Sequence, residues 1–210
     1  MKKGSWYFDF ISPFAYLQSA QLAKLAPYVQ LDYKPVLFAG LLNHWGQKGP
    51  AEIDTKRQFT FEFAVWQASK LGIPFTMPPM HPFNPLALLR LAWTTECNPE
   101  VIHAIFRFVW EDGRLPDTPL EWFELTSKLG LPNASAEITA SRVKDELRAA
   151  TDDAIARGVF GVPTIIVDDR LFWGNDATEM ALDYLKGSPL FASDQFARVR
   201  DIPVGAVRQR

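Results

Sequence analysis

Strand signals sit at the two ends of this 210-residue chain and not between them, and this limits its folds more than any other feature. Trp6-Tyr7-Phe8-Asp9-Phe10 is a short aromatic run of the kind that fills a buried strand. Ser12-Pro13 stops it and opens a helix, with Ser12 as N-cap and Pro13 at the first helical position. That helix is predicted over residues 14–26. Gln18, Gln21 and Lys24 form one narrow wet stripe on it, and Pro27 ends it. Residues 29–36 read as a second strand, extended into Leu37 and Phe38. The opening is therefore β-α-β, which fits a right-handed parallel crossover.

Residues 39–49 are loop-like, and from about Ala51 to Arg157 the pattern is helical. Phe59, Phe63 and Trp66 share one helical face, and Gly72 is a good C-cap. Helix starts are written as Asn84-Pro85, Asn98-Pro99 and Thr118-Pro119, with stops at Gly113 and Gly130. A last helix of this block is predicted from Ser135 to Arg157, closed by Gly158. Strands return at Pro163-Thr164-Ile165-Ile166-Val167 and Arg170-Leu171-Phe172-Trp173, which flank Asp168-Asp169 as a hairpin. Gly174-Asn175-Asp176 leads into a helix stopped by Gly187. From Pro189 onward the chain reads as a polar, mobile tail with four Arg beyond residue 197. The expected fold class is α/β. Residues 1–38 and 158–190 form a discontinuous mixed-sheet domain, 39–157 an inserted helical domain, and 191–210 a C-terminal tail.

Composition narrows the function. At 48% hydrophobic and 22% charged, the chain has the make-up of a folded globular protein. A net charge of −2 gives no basic field for nucleic acid or acidic membranes. A single Cys excludes an internal disulfide and a Cys-rich zinc site, and three His leave a His-based metal site unexpected. No long apolar run and no leader pattern are read, so a cytoplasmic protein is expected. Sixteen Phe and seven Trp are enough for both a core and an apolar ligand pocket.

Two junctions can carry chemistry. Ser12 places a hydroxyl at a helix N-terminus, where unpaired N–H groups and the helix dipole favour an anion, although a Ser before Pro is also an ordinary N-cap. Gly161-Val162-Pro163-Thr164 puts a proline at a strand start. A cis bond there would turn the N–H and C=O of Val162 outward for an extended ligand.

Three motifs in this order carry a resemblance. They are Tyr7-Phe8-Asp9-Phe10-Ile11-Ser12-Pro13-Phe14-Ala15-Tyr16-Leu17, Val159-Phe160-Gly161-Val162-Pro163-Thr164, and Phe172-Trp173-Gly174-Asn175-Asp176. With them, the chain resembles the DsbA-like branch of the thioredoxin fold. Within that branch it resembles the 2-hydroxychromene-2-carboxylate isomerase and kappa-class glutathione transferase group. Leu37-Phe38-Ala39-Gly40-Leu41-Leu42 and His81-Pro82-Phe83-Asn84-Pro85-Leu86 look like stretches of its bacterial members.

The resemblance implies a thioredoxin-like fold with a large helical insertion, a homodimer, and glutathione as cofactor. Redox relatives begin the first helix with Cys-x-x-Cys; here the residues are Ser12-Pro13-Phe14-Ala15, so the reactive sulfur must come from outside the chain. By resemblance, Ser12 is the catalytic donor to a glutathione thiolate. Val162 pairs through its backbone with the cysteinyl part, Asn175 and Asp176 hold the γ-glutamyl end, and Pro163, Trp173 and Gly174 are further glutathione-binding candidates. Asn175-Asp176 also reads as a helix-capping pair, and both roles can hold together. Lys48, His81 and Asn84 are candidates for binding a small aromatic substrate, though Lys48 also reads as a solvated loop residue and Asn84 as a cap. Cys97 reads as a small core or surface residue. The implied reaction is glutathione-dependent isomerisation of the chromene carboxylate to trans-o-hydroxybenzylidenepyruvate. The alternatives are a kappa-type transferase and a non-catalytic thioredoxin-fold binding protein.

Overall fold

In a computed structural model, which describes residues 1–206, the chain forms a four-stranded sheet surrounded by helices. The opening elements are β1 (Lys2–Phe8), α1 (Pro13–Ser19), β2 (Val29–Pro35) and α2 (Phe38–Trp45). The central helices are α3 (Asp54–Leu71), α4 (Leu86–Thr94), α5 (Pro99–Trp110), α6 (Pro119–Lys128), α7 (Ala134–Glu137) and α8 (Ser141–Ala156). The chain closes with β3 (Thr164–Val167), β4 (Arg170–Trp173), α9 (Thr178–Leu185) and α10 (Asp194–Arg200). Strand order is β2-β1-β3-β4. β1 and β2 are parallel with Trp6 opposite Tyr33, whereas β3 is antiparallel to both β1 and β4. Asp168 and Asp169 both take positive φ, as the tight hairpin turn requires.

Alternation along β1 builds two cores. Trp6 and Phe8 point to one face, where with Phe10 and Phe106 of α5 they form a fully buried aromatic cluster. Burying each ring stabilises the fold by roughly 1.5–3 kcal/mol. Tyr7 points to the other face, against Leu41, Ala154, Val159 and Ile166. The first core runs without interruption from the sheet into α4 and α5.

Several expectations need correcting. β1 begins at Lys2 and ends at Phe8, because Asp9 leaves the ladder and turns its carboxylate onto neighbouring N–H groups. Leu37 and Phe38 are not strand, and 39–49 is not mainly loop: α2 starts at Phe38. Its first N–H groups are accepted from afar, Leu37 N–H by Thr151 Oγ1 at 3.1 Å and Phe38 N–H by Asp9 Oδ2 at 2.9 Å. α1 stops at Ser19, followed by a 3-10 turn at Leu22–Lys24. The expected wet stripe is largely dry. Gln18 and Gln21 are buried, and only Lys24 reaches solvent, where it pairs with Glu179 at 2.9 Å. The helix expected over 135–157 is split into α7 and α8.

The segment after Pro189 is not irregular up to residue 200. It forms a 3-10 turn at Pro189–Ala192 and then α10, capped by Ser193. Phe191 and Phe196 fold back with Tyr184 around Arg170, whose guanidinium lies 5.1–5.7 Å from the three ring centroids. The expected tail's last residues, 207–210, lie outside the described part.

Candidate functional site

Ser12 caps α1 as the sequence indicates. Its Oγ accepts the Ala15 N–H at 3.2 Å, and Pro13 takes the first helical position. Accepting uses a lone pair and leaves the hydroxyl proton available; it donates to no partner among the described residues. Ser12 is 7% exposed, so a group docked there would meet the helix N-terminus in a largely dry setting.

The turn that delivers Ser12 is fixed from outside. Trp110 Nε1 donates to the Phe10 carbonyl at 2.8 Å. The His81 imidazole lies with Nε2 2.8 Å from the Ile11 carbonyl; a carbonyl only accepts, so Nε2 carries the proton. Burial lowers the His81 pKa and keeps the ring neutral, and its Nδ1 is buried without a partner among the described residues. Asp9, fully buried, accepts Ile11 N–H through Oδ1 at 3.1 Å and Phe38 N–H through Oδ2 at 2.9 Å. Burial pushes its carboxyl up to about 7, against those favourable bonds. Neither Asp9 nor Trp110 was singled out from the sequence. An acid between two aromatics in a strand pattern is the one available signal, because a buried carboxylate needs a local reason.

The second wall comes from the loop before β3. Val162 precedes Pro163 in a cis bond, and neither its N–H nor its C=O bonds to another group among the described residues. Gly174 N–H donates to the Pro163 carbonyl at 2.9 Å, which ties this loop to the turn after β4. Gln18 then ties both to α1: its amide nitrogen donates to the Gly174 carbonyl at 2.9 Å and to Thr178 Oγ1 at 3.1 Å, while its Oε1 accepts from Trp6 Nε1 at 2.8 Å. Gly174 has φ +90, and a side chain there would collide with the Asp176 carboxylate that folds over it. Trp173 is half exposed and lies over Gly161.

A cavity of about 200 Å³ opens beside Asn175 and Asp176, and its other wall is α3, through Trp66, Gln67, Lys70 and Leu71. The Gln67 Oε1 in this wall is buried and without a partner among the described residues. These α3 residues were not anticipated, since helical periodicity does not say which element a face will meet.

The remaining candidates are not gathered at this cavity. Lys48 is exposed, in the loop before the Pro50–Glu52 turn, and is in no ion pair among the described residues. Asn84 Oδ1 accepts the Leu86 N–H at 3.0 Å and lines a separate cavity of about 380 Å³ between Met80, Phe83, Leu115 and Pro116. His81 alone of the three touches the turn that carries Ser12. Cys97 is buried, and burial pushes its thiol up to about 12, so it is inert at neutral pH.

The chain is similar to known proteins over most of its length. A family model described as the DSBA-like thioredoxin domain matches residues 5–186. The 2-hydroxychromene-2-carboxylate isomerase of Pseudomonas putida is 30% identical over 179 residues, covering 81% of this chain and 88% of that relative. Glutathione S-transferase kappa 1 of Rattus norvegicus is 24% identical, covering 86% and 89%. A solved structure of a 2-hydroxychromene-2-carboxylate isomerase superimposes with a TM-score of 0.79 at 25% identity, covering 94% of this chain and 98% of the other.

Proposed function

The chain belongs to the DsbA-like thioredoxin domain family, and from that premise we propose that it is a glutathione-dependent isomerase acting on 2-hydroxychromene-2-carboxylate or a similar aromatic compound. The observation that carries this reading is Ser12: a buried hydroxyl with an uncommitted proton at a helix N-terminus, where a redox relative would have its first cysteine. The residues present fit glutathione. The unpartnered main-chain groups of Val162 suit an extended peptide backbone, as in strand addition. Asp176 and the Gln67 carbonyl suit an ammonium, and Lys70 suits a carboxylate, at the cavity beside them.

Bound glutathione supplies a sulfur nucleophile that can add to an unsaturated carbon and leave again, so that a double bond becomes single, rotates and re-forms. The chain's own contribution is electrostatic. A free thiol has a pKa of about 8.5, and a helix N-terminus lowers it. Ser12 adds a hydrogen bond to the anion, and the buried setting strengthens both effects. Trp110, His81 and Asp9 hold the turn so that this donor needs no reorganisation. The kappa relative favours a second reading, transfer of glutathione to an electrophile; accumulation of a thioether product rather than an isomer would select it. In either reading the working form is a homodimer, and a monomeric mass by light scattering at micromolar concentration counts against that part.

The test is Ser12→Ala. Loss of the cap costs about 0.5–2 kcal/mol of stability, and glutathione still binds. Loss of the donor raises the bound thiol's pKa, and each unit is about 1.4 kcal/mol. We expect kcat at neutral pH to fall about tenfold or more and to recover partly at higher pH. Wild-type kcat across pH 6–9 would reduce Ser12 to a cap and overturn the mechanism. Asp176→Ala should instead raise the KM for glutathione.

A further inference from the structure

α3 presents Lys56, Phe59, Phe63, Trp66 and Lys70 at three- and four-residue spacing, which puts them on one stripe. The rings of Phe59 and Phe63 are 12° from parallel with centroids 5.6 Å apart, and those of Phe63 and Trp66 are 13° from parallel at 5.7 Å. Phe59 is 63% exposed and Trp66 54%. Single exposed apolar residues need no explanation, but a ladder of near-parallel rings, exposed at Phe59 and Trp66 and half-buried at Phe63, is a surface suited to another flat ring.

The ladder is continuous with the site. Phe63 rests against Phe14, two residues beyond Ser12, at 6.1 Å. Trp66 and Lys70 form part of the cavity wall opposite Asp176. Each end of the stripe carries a lysine that is in no ion pair among the described residues: Lys70 Nζ lies 5.9 Å from the Trp66 ring and shares the cavity with Asp176 and Glu179, and Lys56 stands at the other end.

We propose that this stripe is the platform for the second substrate, a planar aromatic carboxylate whose ring stacks on the Phe59–Phe63–Trp66 ladder while its carboxylate is drawn to Lys56, the lysine away from the cavity, Lys70 being left to glutathione. This deepens the isomerase reading and rests on it, since the platform matters to catalysis only if the thiol sits at Ser12. Charge decides against a second copy of the chain as the occupant. Two-fold antiparallel pairing of the stripe with itself would set lysine against lysine, whereas an anionic aromatic meets rings and cation together.

The test uses 2-naphthoate, titrated calorimetrically into the full-length protein with and without glutathione, alongside cyclohexanecarboxylate as a non-aromatic control. Both Phe59 and Trp66 are more than half exposed, so their replacement leaves the fold intact. The expected result is that 2-naphthoate binds more tightly than the control. Phe59→Ala should weaken it about five- to tenfold, the size of one aromatic pair, and adding Lys56→Gln should weaken it further. The Kd of glutathione should stay unchanged in Phe59→Ala. Equal affinity of wild type and Phe59→Ala for 2-naphthoate overturns the platform. So does a fall in molecular mass on Phe59→Ala/Trp66→Ala, which would show the stripe covered by a second copy. If 2-naphthoate behaves as expected but glutathione fails to bind wild type, the platform is supported and the glutathione reading is the part that falls.

Discussion

The turn from Asp9 to Ser12 and the outer stripe of α3 meet through Phe14 and Phe63, yet they are built in opposite ways. In the turn, the Phe10 and Ile11 carbonyls and the Ile11 N–H are each satisfied by a side chain, and two of those side chains come from α5 and the loop before α4. On α3 the rings touch one another and, apart from the Phe63 contact with Phe14, face water. The first arrangement fixes one atom, the Ser12 hydroxyl, in one place. The second offers a surface whose energy is realised only when something covers it. On the proposed function, chemistry would sit on the part that cannot move cheaply, and selectivity on the part that can be changed at little cost to the fold.

The contrast can be broken most directly at Asp9. Asp9→Ala leaves two half-buried N–H groups without their acceptor, each worth about 1–3 kcal/mol, so a loss of about 3 kcal/mol is expected in urea unfolding. A loss below about 1 kcal/mol would mean that the turn is held by something else. Trp110→Phe keeps most of the buried ring but strands the Phe10 carbonyl, and about 1–3 kcal/mol should be lost. An unchanged midpoint would remove that bond from the account.

A third expectation concerns pH. The Asp9 carboxyl is raised to about 7 in the fold, while in the unfolded chain it titrates near 4. Between those values the native state holds a proton that the unfolded state has released. The stability this group contributes is therefore full below about pH 4 and is lost as pH rises through about 7. Asp9→Asn does not titrate. The wild-type minus variant difference should fall by at least about 1 kcal/mol from pH 4 to pH 7, and a flat difference would refute the shift. His81, whose pKa is lowered, acts with the opposite sign by destabilising the fold as pH falls, but it is common to both proteins and cancels. The smallest effect is on the exposed side: Phe59→Ala should change stability by no more than about 0.5 kcal/mol, and a loss above about 1 kcal/mol would mean that the ladder is packed rather than open.

What was legible in the residues follows the same division. Ser12-Pro13, Asn98-Pro99 and Thr118-Pro119 each cap the helix they announce, and Asp168-Asp169 makes the hairpin turn. These signals act within three or four residues, so they survive without knowledge of the fold. The three motifs carried the family, and with it Ser12, Val162, Asn175 and Asp176 as candidates. The role of Asp9 was not legible, because its second partner, Phe38, is 29 residues away. Gln18 and Gln21 were misplaced because polar spacing on a helix cannot tell a wet face from one whose amides are satisfied inside.

By itself, then, the sequence determined the order β-α-β, helical block, β-β-α, the starts of α1, α5 and α6, and the absence of a redox-active cysteine pair at the head of α1. Tertiary structure decided the rest. α2 exists because Asp9 and Thr151, the latter 114 residues beyond Leu37, accept its first N–H groups. The cavity beside Asp176 exists because α3 closes over it. Local signals satisfy main-chain groups within a turn of their own position. A buried carboxylate, a buried amide or an exposed ring acquires meaning only from the element that arrives opposite, and the residue itself does not encode that arrival.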